Sequence, residues 1–248
     1  MKGKNVMKNK ISGKIVALLL TLIIVATSGM PLYAKETGDK ANSFRYENGQ
    51  SIAKAVPFST LSPNAWKKID GKYYSGDGSV IEGAVAKGID VSHHQGTVDW
   101  KKAKEDGVEF AIIRCGFGMN QTKQDDAQWF NNVKGCEENN IPYGVYLYSY
   151  ADTVKKAQSE AEHVLRLIKG HTLAYPVYYD IEEKAVLNKL TAEQLGKIAA
   201  TFVNKVKAEG YQTGIYSNKS NFETFLTDSQ FSQWNKWVAQ YNSAACTY

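Results

Sequence analysis

The chain has 248 residues, with 43% apolar content, 15 Tyr and 5 Trp, enough to bury a core and to line a cleft with aromatic rings. Its formal charge of +5 resides in the first 34 residues, which hold Lys2, Lys4, Lys8, Lys10 and Lys14 and no acid; without that segment 25 basic residues face 25 acidic ones. A neutral remainder excludes electrostatic capture of nucleic acid or of an anionic surface.

Residues 1–34 read as a secretory signal peptide: dispersed lysines, the apolar run Ile15–Thr27, the breakers Gly29 and Pro31, and Ala34 before the expected cut at Lys35. The run is shorter than the roughly 18 apolar residues of an anchor, so membrane contact is expected only through this segment if it is left uncleaved. Residues 35–86 form a linker region. Within it, Asp70-Gly71 lies between short aromatic and apolar arms in Ala65–Tyr74, the pattern of a hairpin. The hairpin resembles one unit of the aromatic cell-wall-binding repeats of exported bacterial enzymes. Such repeats work by stacking and only one copy is visible, so a hairpin that packs against the main domain or leads into it is the favoured reading.

From Lys87 to the end, strands and helices alternate. Strands are expected at Lys87–Ser92, Val108–Cys115, Ile141–Ser149, Pro176–Ile181, Gln212–Ser217 and Trp237–Gln240. Helices are expected at Val98–Asp106, Asp125–Asn139, Thr153–Lys169, Thr191–Glu209 and Asn221–Leu226. Thr191 with Gln194 makes a capping box, and Gly210 a stop. Repeated βα units mean a parallel sheet. Polar residues fall at almost every strand end: Asp90, Arg114, Tyr148, Asp180, Glu182, Tyr216, Asn218, Gln240 and Tyr241. A barrel focuses all its strand ends on one site, and no Gly-rich phosphate loop follows the first strand; the expected fold class is therefore α/β, a TIM-like (β/α) barrel.

Asp180 and Glu182 end an apolar strand at i, i+2, which places both side chains on one face, roughly 6.5–7 Å apart along the chain. A surface pair with solvated neighbours Glu183 and Lys184 is the plain alternative. Asp90, ending the first strand in Gly88–Gly96, adds a third acid, and such a trio suits general-acid chemistry at a glycosidic bond. Tyr148, Tyr216 and Tyr241 are candidate sugar platforms, with core packing as the competing reading. Arg114 pairs either with a catalytic carboxylate or in a structural ion pair. His93-His94 reads as a loop pair near the cleft; no metal and no cofactor are expected. Cys115, Cys136 and Cys246 are odd in number; a Cys115–Cys136 bridge is conceivable, and otherwise both act as small buried hydrophobes.

These motifs together resemble the glycoside hydrolase family 25 lysozymes. Gly88-Ile-Asp-Val-Ser92 with Gln95-Gly96 is similar to the family's opening motif. Val98–Trp100, Gly107–Arg114, Tyr143–Ser149 and Tyr178–Glu182 resemble its later ones, in order. The resemblance spans about Lys87 to the end and implies a TIM-like modified (β/α) barrel. It implies N-acetylmuramidase activity, cutting the β-1,4 bond from N-acetylmuramic acid to N-acetylglucosamine in peptidoglycan glycan strands; the signal segment adds export, and a monomer is expected. It assigns Glu182 as general acid, Asp180 as its partner carboxylate and Asp90 as the acid of the first strand. Glu182, among other acids, is expected to have a raised pKa. Arg114, Tyr148, Tyr216, Gln240 and Tyr241 would bind substrate. The family's barrel continues past the sixth strand, so the expectation for residues 87–248 is a barrel lacking about two strands. The rivals are a non-catalytic wall-binding protein with the same cleft, and a glycosidase cutting another amino-sugar polymer such as chitin.

Overall fold

A computed structural model describes residues 46–47, 50–51, 67–75, 78–240 and 247–248. The signal segment, most of the linker, Trp66, Tyr241 and Cys246 lie outside the described residues. Two short antiparallel pairs come first: β1 (Tyr46–Glu47) with β2 (Gln50–Ser51), and β3 (Lys67–Ile69) with β4 (Lys72–Tyr74). The second is the expected hairpin. Asp70 and Gly71 both have positive φ, 48° and 78°, as a tight two-residue hairpin turn demands.

The hairpin docks rather than projecting its aromatics outward. Tyr73 is buried, and its hydroxyl donates to Glu109 at 2.6 Å and to the Val85 carbonyl at 3.1 Å. Lys68 Nζ donates to the other Glu109 oxygen at 2.5 Å, and the Lys87 amide donates to Glu109 at 2.7 Å. Bonds from Lys68, then Tyr73, then the Lys87 amide hold the Glu109 carboxyl down at about 2. A carboxyl lowered by folding stabilises above its unfolded value near 4.5, and that contribution is lost as pH falls toward 2. Glu109→Gln is expected to free the hairpin: limited proteolysis should cut at Lys67–Lys72 faster than in the unaltered chain, with little change in the melting of the main sheet. Equal cutting rates would show that Glu109 is not the clamp.

The main sheet has six parallel strands: β5 (Gly88–Val91), β6 (Phe110–Phe117), β7 (Tyr143–Tyr148), β8 (Val177–Asp180), β9 (Thr213–Asn218) and β10 (Asn235–Ala239). Each pairs with the strand before it, the winding of a barrel and not of a sheet that reverses at a switch point. The connecting helices are α1 (Trp100–Glu105), α2 (Trp129–Glu138), α3 (Val154–Ile168), α4 (Lys184–Leu187), α5 (Ala192–Ala208) and α6 (Lys219–Thr224). Thr153 caps α3, and Thr191 caps α5 as expected, in a full capping box with Gln194.

Period-two alternation divides the sheet into two faces. Ile113, Val145, Leu147, Val177, Tyr179 and Ile215 join the apolar core with Ala157, Ala161, Val164 and Ile168 of α3 and Ile198, Phe202 and Val206 of α5. Tyr179 stacks on Phe202, centroids 3.9 Å apart. The alternate residues, Ile112, Arg114, Tyr146, Tyr148, Tyr178, Asp180, Tyr216 and Trp237, occupy the other face. On a flat sheet, β7 and β10 would lie about 14 Å apart, yet Tyr146 and Trp237 meet with centroids 5.6 Å apart. The sheet is therefore curled toward this face. Gly214 leaves it bare where a Cβ would come within 2.6 Å of the Tyr178 ring. Among the described residues β5 and β10 are edges, so the expected barrel takes the form of a curled half-barrel.

Candidate active site

The concave face gathers charge at the C-terminal ends of its strands. Register sets Tyr148, Asp180 and Tyr216 side by side on β7, β8 and β9, and Asp90 beside Ile112 on β5 and β6. The Tyr146 hydroxyl is pushed well up by burial, and it senses Arg114, Asp90, Asp180 and Asp126 at once. Tyr148 is likewise raised by burial, then by the charges of Glu182, Asp180 and Glu183. Acids from β5 and from the end of β8 thus converge on two tyrosines of one strand. Asp180 is buried and Glu182 half-buried. Asp90 keeps surface open to solvent, yet protein atoms crowd its carboxyl, and this burial raises its pKa.

Arg114 is 3% exposed and donates Nε to Asp126 at 2.8 Å. Its terminal nitrogen contacts His93 Nδ1, and the His93 amide donates to the same Asp126 oxygen at 3.0 Å. Ser92 caps the short turn His93–Gln95 that delivers this amide. His93 is thereby engaged by Arg114 and Asp126. Burial alone would raise Asp126, but bonds from His93, the charge of Arg114 and the Gln128 amide outweigh it and bring the carboxyl down to about 2. Asp126 is the largest omission of the sequence reading, which placed it inside a helix from Asp125. That helix starts at Trp129, because Asp126 spends its carboxylate on Arg114, His93 and the Gln128 amide.

Other expected site residues are placed differently. Asn218 caps α6, its side-chain oxygen accepting from the Asn221 amide at 2.9 Å. Gln240 accepts from the Thr247 amide at 2.7 Å, which turns its side chain toward the final residues. Tyr216 is 7% exposed with its ring 4.4 Å from Trp237, and Tyr148 is 9% exposed with its ring 5.1 Å from Tyr150, so neighbouring side chains on the concave face cover most of both rings. Glu183 is not a solvated neighbour: it is buried, caps α4 through the Ala185 amide, and lies 3.4 Å from the Tyr148 hydroxyl. Tyr146 and Trp237 line the concave face without having been singled out; the alternation Tyr146/Tyr148 was the available signal. Cys115 and Cys136 are buried free thiols and not a bridge; burial raises both, Cys136 to about 12.

A further carboxyl lies behind the site. Glu160 of α3 is fully buried and accepts from Ser149 Oγ at 2.8 Å, Tyr179 Oη at 2.5 Å and the Tyr150 amide at 2.9 Å. Burial still outweighs these donors and lifts it to about 7. Asp126 and Glu160 therefore set opposite limbs of stability. Asp126, lowered from 3.8, contributes about 2 kcal/mol above pH 4 that is lost as pH falls toward 2. Glu160, raised from 4.5, contributes its full share below pH 4.5 and loses about 3 kcal/mol as pH rises through 7. Urea melts across pH 2–8 are expected to peak near pH 4–5, and Glu160→Gln to remove the decline above the peak. A decline that persists in the variant would assign it to other groups.

The family model for glycosyl hydrolases family 25 matches residues 89–247. An autolytic lysozyme of Clostridium acetobutylicum is 28% identical over 155 residues, covering 62% of this chain and 45% of that protein. Among solved structures, the modular autolysin LytC from Streptococcus pneumoniae superposes with a TM-score of 0.64 at 32% identity, covering 74% of this chain and 44% of that one. LytC has also been solved in complex with a synthetic peptidoglycan ligand. A family 25 glycosyl hydrolase from Bacillus anthracis shares the fold, with a TM-score of 0.59 at 18% identity over 74% of this chain and 78% of that one. The chain spans a little under half the length of the Clostridium and Streptococcus proteins. With the family model running from the first strand of the curled sheet past the last, this chain belongs to glycosyl hydrolases family 25.

Proposed function

We propose that this chain is an exported peptidoglycan hydrolase, a muramidase whose general acid is Glu182. The observation that carries the reading is the convergence of Asp90, Asp180 and Glu182 on Tyr146 and Tyr148 at the strand ends of a family 25 chain. Glu182, half-buried beside other acids, delivers the proton to the leaving glycosidic oxygen. Asp180, held in the buried strand end, stabilises the positive centre that develops, including the substrate's own 2-acetamido group where that group assists. Asp90 orients sugar hydroxyls or tunes the other two. The peptidoglycan ligand of LytC supports the substrate class, and the autolytic relative supports action at the cell wall. Residues 1–34 would direct export, 35–86 would link, and 87–248 would carry the chemistry.

The test is digestion of insoluble peptidoglycan by the chain without its first 34 residues, with mass spectrometry of the new reducing ends. Muramic-acid ends are expected. Glucosamine ends would reassign the bond that is cut, and binding without release would replace hydrolysis by wall recognition. Release from chitin in place of peptidoglycan would move the substrate to another amino-sugar polymer.

A further inference from the structure

Glu160 takes no part in the proposed chemistry, yet it is among the most deeply buried side chains of the core. A buried carboxyl stabilises a fold poorly, and an apolar residue of the same size would fill its place on α3 with less penalty. Its three donors come from the two strand ends that carry the site. Ser149 and Tyr150 directly follow Tyr148 on β7; Tyr179 directly precedes Asp180 on β8. The Ser149 amide also donates to the Asp180 carbonyl at 2.9 Å, so the bonded groups form one continuous patch behind the cleft. Tyr179 is locked in turn by its stack on Phe202 of α5.

We propose that Glu160 is a positioning residue, a single buried acceptor that ties the ends of β7 and β8 to α3 and so fixes Tyr148 and Asp180 relative to each other. The inference rests on the muramidase reading for its catalytic consequence and on geometry alone for the tie itself. Packing by itself would need only volume. A tie needs an acceptor that faces a hydroxyl from each strand and one backbone amide, and the carboxylate supplies both of its oxygens to that end. Glu160→Gln keeps the volume and replaces one acceptor by a donor, which cannot accept from the Tyr150 amide if its oxygen faces the hydroxyls.

The experiment compares the unaltered chain with Glu160→Gln by native hydrogen exchange and by kinetics on soluble peptidoglycan fragments. Exchange is expected to quicken about tenfold or more at residues 148–152 and 179–183 and to stay unchanged in β5 and β6. Turnover should fall about tenfold with KM within about twofold, the split of an interaction that matters after binding. Tyr179→Phe and Ser149→Ala, each removing one donor, should give smaller effects of the same kind, and they carry the test if Glu160→Gln does not fold. Unchanged local exchange overturns the tie, and quickened exchange with unchanged turnover overturns its role in positioning. If the unaltered chain releases no reducing ends, the muramidase reading falls, and local exchange alone upholds or overturns the tie.

Discussion

Glu182→Gln is expected to lower the release of reducing ends by about 10²–10⁴-fold while leaving affinity for peptidoglycan nearly intact. The amide has the shape of the acid but no proton of useful acidity, so the leaving oxygen must depart as an alkoxide or wait for water. That is a barrier higher by about 3–5 kcal/mol. Glu182 is half-buried at a strand end, so the substitution should leave thermal melting almost unchanged, which separates chemistry from folding. Asp180→Asn should also be slow. Because Asp180 lies buried and aligned between Tyr148 and Tyr216, that variant is expected to lose stability as well. Turnover in Glu182→Gln within threefold of the unaltered chain would remove Glu182 from its assigned role. Retained binding with lost turnover would support it.

The second large effect concerns the pair behind the first strands. Arg114 and Asp126 have side chains 3% and 0% exposed and bond at 2.8 Å. Asp126→Leu leaves the guanidinium buried without its main counter-charge, at a cost of roughly 3–5 kcal/mol. A domain of this size loses about 2–4 °C of Tm per kcal/mol, so a fall of roughly 6–20 °C is expected. Replacing both partners, Arg114→Met with Asp126→Leu, should restore much of it, because what is expensive is the lone charge rather than the missing pair. Thermal melts of the single and double variants form the cycle. Strict additivity would show that the two groups do not act as a unit.

Much of this molecule was legible from residue order alone. Alternation marked the strands, and Thr191 with Gln194 announced its helix. What stayed hidden depended on partners distant in sequence. Asp126 reads as an ordinary helix-opening acid until the pairing of β5 with β6 brings Arg114 and His93 to it. Asn218 and Gln240 look like cleft residues because a polar side chain at a strand end serves a helix cap or a neighbouring amide equally well. The four-residue helix α4 is too short to show a period, so nothing in the sequence marks Glu183 as its cap. Trp237 reaches Tyr146 because β7 and β10 approach across the concavity, and that is a property of curvature.

The strand order has a consequence for how the chain can be assembled. From β6 onward, every strand of the sheet lies beside the one that immediately precedes it. A polypeptide that emerges N-terminus first, from a ribosome or through a pore, therefore always presents its next strand to an edge that already exists. Among the described residues no pairing in this sheet waits for distant sequence, and each crossover closes a loop of modest length, where closure entropy is small. The sheet can grow by accretion at one edge, and the carboxylates at the ends of β5 and β8 are brought together in the order in which they arrive.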